Sequence, residues 1–396
     1  MPHTLQGLTV IDLTQNVAGP YCTQLLGDFG ATVFKIERPN TGDDARSWAP
    51  LTGHNESTTF LALNRNKKSI CVDLDHAMGQ EVVRKMVAKA DVFVHSMRPD
   101  SVDSRGFSYH HLSAENPGLI YCSISAFGEV GPLKNLPGYD PLIQAYTGIM
   151  SVTGHPGQPP VRAGVSIVDM ATGMWAFIGT MAAVLERSRT GQGARVTASL
   201  LETGVGWMAL LLSNYLTTGN VPQPVGSGSP MIAPYEAFQT ADSWMLIAAG
   251  NERLFANLCQ VLKLPELTSD PRFAVNKQRV TNRVELHRII EEVTKKRPSE
   301  DWVKLMQKAG VPCSAINSVD KLRDDAQVTA LDMIKSPPNF AAPDFKIVDV
   351  PVSVNGQRAA LESKPPALGD HTDELLRWAG FFDEEIASLR HQRAVS

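Results

Sequence analysis

At 396 residues the chain is too long for one ordinary core and suits two domains or one elaborated α/β domain. Apolar residues make up 43% and charged residues 20%, the balance of a soluble globular protein. A net charge of −4 without a basic stripe argues against a nucleic-acid partner. Five scattered cysteines without a CxxC pair argue against a disulfide framework or a cysteine-rich zinc site.

The opening Met1-Pro2-His3-Thr4-Leu5 has neither the basic nor the apolar run of a secretory signal, so a reduced, cytoplasmic setting is expected. Leu8 to Leu13 reads as a short apolar strand, and Pro20 sits where the first turn of a helix tolerates it. That helix should run toward Phe29 and stop near Gly30. Strands are predicted at Thr32–Glu37, Ser69–Leu74, Asp91–Met97, Leu119–Ser125 and Arg195–Leu200, with a helix over Gly79–Ala90. Repeated βα units with β-branched strands imply a parallel sheet with right-handed crossovers. The longest apolar stretch, Met170 to Leu185, falls short of the ~20 residues that span a bilayer and reads as a buried core helix.

After residue 220 the pattern changes. Val221 to Pro234 is rich in Gly, Pro and Ser, a linker composition. A hairpin is predicted over Ala237–Gly250, then helices near Glu252–Leu262, Val284–Lys295 and Glu300–Gly310. The tail opens with a Pro-rich loop from Pro337, passes a strand at Ile347–Val354 and ends in helices.

The familiar cofactor motifs fail. The first βα turn, Thr14-Gln15-Asn16-Val17-Ala18-Gly19-Pro20, holds no GxGxxG. The near match Gly204-Val205-Gly206-Trp207-Met208-Ala209 falls inside a probable helix. There is no P-loop, HExxH or GxSxG, and His110-His111 is not spaced for one metal. Taken by itself, Asp169 at the head of the apolar helix reads as an N-cap. The helix N-terminus there favours an anion by roughly 0.3–1 kcal/mol.

Four stretches carry a resemblance: "LQGLTVIDLTQNVAGPYCTQLLGDFGATVFKIERPNTGDDAR", "LNRNKKSICVDL" followed by a strand ending in "RPD", "ISAFGEVGPLKNLPGYDPLIQAYTGIMSVTG", and "GVSIVDMATGMWAFIGTMAAVLERSRTGQGARV", with "PALGDHTDELL" in the tail. In this order they resemble the class III (CaiB/BaiF) CoA-transferase family. The run "ERPNTGDDARSWAP…NRNKKSI" is most similar to its succinyl-CoA:dicarboxylate branch. The resemblance implies an α/β fold: a Rossmann-like large domain over residues 1–200, completed by 360–396, and a smaller α+β domain over 225–325. Linkers cover 201–224 and 326–359, and two chains interlock as a homodimer.

It also implies the chemistry. Asp169 is the nucleophile that attacks the donor thioester, and Asp140 is the acidic residue lining the active site. CoA is held by the backbone at Val17 and Ala18, by Arg38, by the segment Val72, Asp73, Leu74 and Asp75, and by the turn Ser96, Met97 and Arg98. Tyr139 completes the set, with Arg105 one residue after the position, here Ser104, where relatives have an arginine. The small-residue loop Gly226-Ser227-Gly228-Ser229 matches one that covers the intermediate. Relatives of the formyl-CoA branch have Gln where this chain has Val17. The racemase branch has His where this chain has Tyr139. No metal or permanently bound cofactor is expected; acyl-CoA and small carboxylic acids are the partners, with no nucleic acid and no membrane. The alternatives are an acyl-CoA racemase or epimerase, or a catalytically silent CoA-binding protein. Arg46, after Asp43-Asp44, is expected to read a second carboxylate on the acceptor with its bidentate fork.

Overall fold

The computed structural model describes residues 4–53, 55–337, 345–359 and 361–396. Its main sheet has six parallel strands: β1 (Thr9–Leu13), β2 (Thr32–Glu37), β3 (Lys67–Cys71), β4 (Val92–His95), β5 (Ile120–Ser125) and β6 (Ala194–Ser199). Their order is β3-β2-β1-β4-β5-β6, so the winding reverses between β1 and β4. In such sheets the crevice at the carboxyl ends of the strands beside that reversal is where ligands sit.

Side chains alternate across the sheet. Ile11, Phe34, Ile70 and Phe93 share a core with Val82, Val83 and Met86 of the helix Ala77–Ala88. Leu375, Leu376, Ile386 and Leu389 of the C-terminal helices Thr372–Ala379 and Asp383–His391 join them. Asp12, between Ile11 and Leu13, points the other way, toward the helix Ala18–Asp28, where Thr23 bonds its carboxylate. That helix packs on the long helix Ile167–Thr190 at close range. A Cβ on Gly173 would lie 2.5 Å from the Ala18 carbonyl oxygen, and one on Gly19 would lie 2.3 Å from Thr14 Cβ. Neither position admits a side chain as the backbones stand.

Two expectations need correction here. Ile167–Thr190 is not a wholly buried core helix: Val168, Ala171, Thr172 and Ala176 are covered, while Trp175 is 57% and Leu185 66% exposed. By length and composition alone it could cross a membrane, and 39% of its most apolar window is buried. β3 ends at Cys71, short of the expected Leu74, because the backbone from Val72 onward takes new partners. Val72 bridges Val395, and the Asp73 N–H donates to the Ala394 carbonyl at 2.9 Å.

The chain divides into two compact units, residues 1–147, 163–210 and 327–396, and residues 148–162 and 211–326. The second has its own antiparallel sheet, β7 (Tyr235–Gln239), β8 (Trp244–Ala248) and β9 (Cys313–Ala315). Glu252–Leu262, Arg283–Thr294 and Ser299–Lys308 close over Phe238, Ile247, Phe255 and Trp302. The hairpin lies where the alternation predicts it; three-residue β9 carries too short a pattern to be read. In the tail, Ile347–Val348 pairs with Ile334–Lys335 and stops well before Val354, since Pro351 cannot donate to a ladder. Most of the Pro-rich loop, residues 338–344, lies outside the described residues.

Candidate active site

A cavity of about 380 Å³ opens at the carboxyl ends of β1, β4 and β5. It brings together Val17 and Ala18 from the turn after β1, Ser96, Met97 and Arg98 after β4, and Tyr139, Asp140 and Asp169. Eight of the expected site residues therefore share one wall or another of a single space.

The turn after β1 is held by buried charge. Asp43 accepts from the Asn16 N–H at 3.0 Å, and Asn16 takes a left-handed φ of 70°, which asparagine tolerates better than most residues. Asp43 in turn accepts from the Lys35 ammonium at 2.9 Å, both side chains being essentially inaccessible. Asp12 accepts from Lys67 at 3.0 Å and from the hydroxyls of Thr14 and Thr23. Burial alone would raise the Asp12 carboxyl, but Lys67, Lys35 and the two hydroxyls outweigh it and hold it below the ordinary range. On the same ledge the turn after β4 is fixed by His95, whose Nδ1 accepts from the Met97 N–H at 3.3 Å. Burial, and after it Arg195, pushes His95 down to about 3, so the ring is neutral and free to accept.

Opposite lies the carboxylate pair. Asp169 is the third residue of its helix, and Ser166 occupies the N-cap position without a side-chain bond. The capping reading of Asp169 is thus corrected: the capping carboxylate comes from elsewhere in the chain. Asp140, 2% exposed, accepts from the N–H groups of Val168 at 2.7 Å and Asp169 at 3.1 Å, while Gln144 bonds its other oxygen. No group among the described residues donates to the Asp169 side chain. Burial, reinforced by the Asp140 charge, pushes Asp169 up to about 7. A carboxylate with no bonded partner, facing a cavity and reluctant to ionise, is a stronger nucleophile than a solvated one once it does ionise.

The remaining sequence candidates do not line this cavity. Arg38 bonds the Gly42 carbonyl at 3.2 Å and pairs with Asp44. Arg46 is committed to buried Glu37 through two bonds of 2.7 Å and lies over the Phe60 ring at 3.7 Å, so its fork is already filled. Val72 to Asp75 and Arg105 form a separate group, in which Arg105 donates to the Leu74 carbonyl and pairs with Asp75. Sequence reasoning missed Trp48, Ser166 and Lys134, all at the cavity. Lys134 could have been found, since its Gly- and Pro-rich loop follows β5 at the ligand-binding edge of the sheet.

The family model for CoA-transferase family III matches residues 5–372. The chain is 37% identical to succinyl-CoA:glutarate CoA-transferase of Mus musculus, over 96% of this chain and 87% of that protein. It is 35% identical to succinate–glutarate CoA-transferase of Agrobacterium fabrum, over 94% of each. The crystal structure of a CaiB/BaiF family protein from Brucella suis superposes with a TM-score of 0.86 at 36% identity, covering 96% of this chain and all of that one. The chain belongs to the CoA-transferase family III, the CaiB/BaiF family, and is a CoA-transferase.

Proposed function

We propose that the protein moves CoA from succinyl-CoA, or a similar acyl-CoA, to a dicarboxylic acid, with Asp169 as the covalent relay. The observation that carries this reading is the division of labour between the two aspartates. Asp140 takes both N–H bonds at the helix end, which leaves the Asp169 oxygens unbonded at the cavity.

An Asp169 oxygen attacks the donor's thioester carbonyl and the CoA thiolate leaves, giving a mixed anhydride. The thiolate attacks the Asp169 carbonyl of that anhydride and releases the donor acid as a carboxylate. The enzyme is left as an aspartyl-CoA thioester. The acceptor carboxylate then attacks this thioester, thiolate departs again, and a second anhydride forms. Attack of thiolate on the acceptor's acyl carbon frees acyl-CoA and restores the Asp169 carboxylate. One thioester is exchanged for another, so little net free energy is needed, and covalent catalysis divides one hard exchange into easier steps.

In this reading the turns at Val17–Ala18 and Ser96–Arg98, with Tyr139, hold the pantetheine arm. Arg38, Val72–Asp75 and Arg105 take the nucleotide end. A second copy of the chain covers the apolar face of Ile167–Thr190 that carries Trp175 and Ile178, as an interlocked homodimer would. That exposed apolar face supports a partner chain. The experiment is a rapid quench with succinyl-CoA, followed by peptide mass spectrometry. The peptide holding Asp169 should gain the mass of CoA less water, and hydroxylamine should release it. Turnover without any such adduct would remove the mechanism.

A further inference from the structure

Two cations line the cavity, Arg98 and Lys134, and neither has a carboxylate partner among the described residues. Their positions differ in a way that assigns them different work. Arg98 follows β4 at the N-cap of the helix Pro99–Ser104, on the side of the Val17–Ala18 turn. Lys134 stands on the loop that runs straight into Tyr139 and Asp140, and Asp140 is bonded to the head of the Asp169 helix.

That loop is anchored at two points just after Lys134. Next to it, Asn135 donates to Asp100 at 2.9 Å. Further on, Gly138 passes so close to Ala126 that an added Cβ would lie 2.7 Å from the Ala126 Cβ. Consecutive turns, Lys134 N–H to the Gly131 carbonyl and Leu136 N–H to the Leu133 carbonyl, fix the backbone on either side of the lysine, just ahead of these anchors. The cavity's own carboxylates do not satisfy the ammonium: Asp140 is saturated by three bonds, and Asp169 has no bonded partner. Arg46 is spent on Glu37.

We infer that Lys134 is the residue that recognises the distal carboxylate of the dicarboxylic substrate, while the proximal one reacts at Asp169. This rests on the dicarboxylate reading given above. Succinyl-CoA as donor and a dicarboxylate as acceptor both present a free carboxylate beyond the reacting carbonyl, so one ammonium serves both half-reactions. A point charge on a flexible stem accommodates acids of unequal length, where a fixed guanidinium fork would favour one.

The test compares wild type, Lys134→Gln and Lys134→Arg in ping-pong kinetics with glutarate and valerate as acceptors and succinyl-CoA and acetyl-CoA as donors. Binding of free CoA is measured by calorimetry. Lys134→Gln should raise KM for glutarate and for succinyl-CoA by about tenfold, the ordinary scale of one charge-assisted contact. Valerate, acetyl-CoA and the Kd for CoA should stay within twofold, and Lys134→Arg should recover most of the loss. A matching fall in CoA affinity would make Lys134 a phosphate contact and overturn the inference. Unchanged glutarate kinetics would also overturn it. Wild type that uses valerate but no dicarboxylate removes the substrate reading itself, a result visible before any variant is made.

Discussion

Two sets of buried carboxylates lie in the same unit of the fold and end in opposite states. Asp12, Glu37 and Asp43 sit among Lys35, Lys67 and Arg46, and in each case the cations and hydrogen bonds outweigh burial and keep the acid ionised. Asp169 is less buried, yet burial and the neighbouring Asp140 hold it near neutrality. Desolvation is common to all four. Partners decide the outcome: bonded and paired acids stay ionised, and the acid left unbonded beside another acid keeps its proton to higher pH. The cation-rich cluster then serves the reactive pair indirectly, because Asp43 fixes the turn at Asn16 on the cavity wall.

The largest expected effect comes from removing the reactive acid. Under the proposed mechanism Asp169→Asn should lower transfer by about three orders of magnitude or more, since the amide cannot form the anhydride. Its stability should move the other way. The folded pKa lies above the ordinary 3.8, so wild type loses stability as pH rises from about 4 through about 7. The variant carries no such penalty. It should melt higher than wild type above pH 7 and at the same temperature below pH 4. Wild-type turnover in purified, undeamidated Asp169→Asn would erase the contrast drawn above.

Breaking the structural set should show in stability. Asp43→Ala leaves Lys35 buried without its carboxylate, which typically costs about 3–5 kcal/mol in urea unfolding. CoA affinity should fall as well, through the released Asn16 turn. A loss below about 1 kcal/mol would mean that the cluster is not what holds this turn.

The subtlest variant sharpens the comparison. Asp140→Asn keeps an acceptor for the Val168 and Asp169 N–H groups but removes the charge. In wild type, kcat/KM should rise through about pH 7 as Asp169 ionises. The variant's inflection should move to lower pH while staying above the ordinary aspartate value, because burial remains. An unmoved profile would show that the Asp140 charge does not reach Asp169.

How much of this was legible in the sequence depends on the range of each interaction. β2 and the helix Glu252–Leu262 lie where local apolar patterns place them, because those patterns set which face is buried. Asp169 was found through its motif. Asp140 was singled out in the same way, but the bonds by which it caps the Asp169 helix were not legible, since it reaches that helix from 28 residues away. Arg46 shows the opposite failure. Its fork was read correctly as a carboxylate binder, but the carboxylate is Glu37, brought beside it by the fold. Lys35 and Lys67 look like solvated strand charges until a neighbouring strand supplies Asp12 and a neighbouring loop supplies Asp43.

The C-terminal helices have a consequence for how the chain folds. β3 and the helix Ala77–Ala88 belong to the first quarter of the sequence, yet their core is closed by Leu375, Leu376, Ile386 and Leu389. The Cys71 N–H reaches its partner, Thr372, 301 residues downstream. A chain still emerging from the ribosome therefore holds a nearly complete parallel sheet with one apolar face bare while the whole of the second unit is made. Contacts of such separation are slow to form, and an uncovered sheet face is prone to associate meanwhile. Truncations that spare every residue of the cavity but remove residues 372–391 would leave a sheet with its cavity-lining turns in place and no lid for its hydrophobic underside.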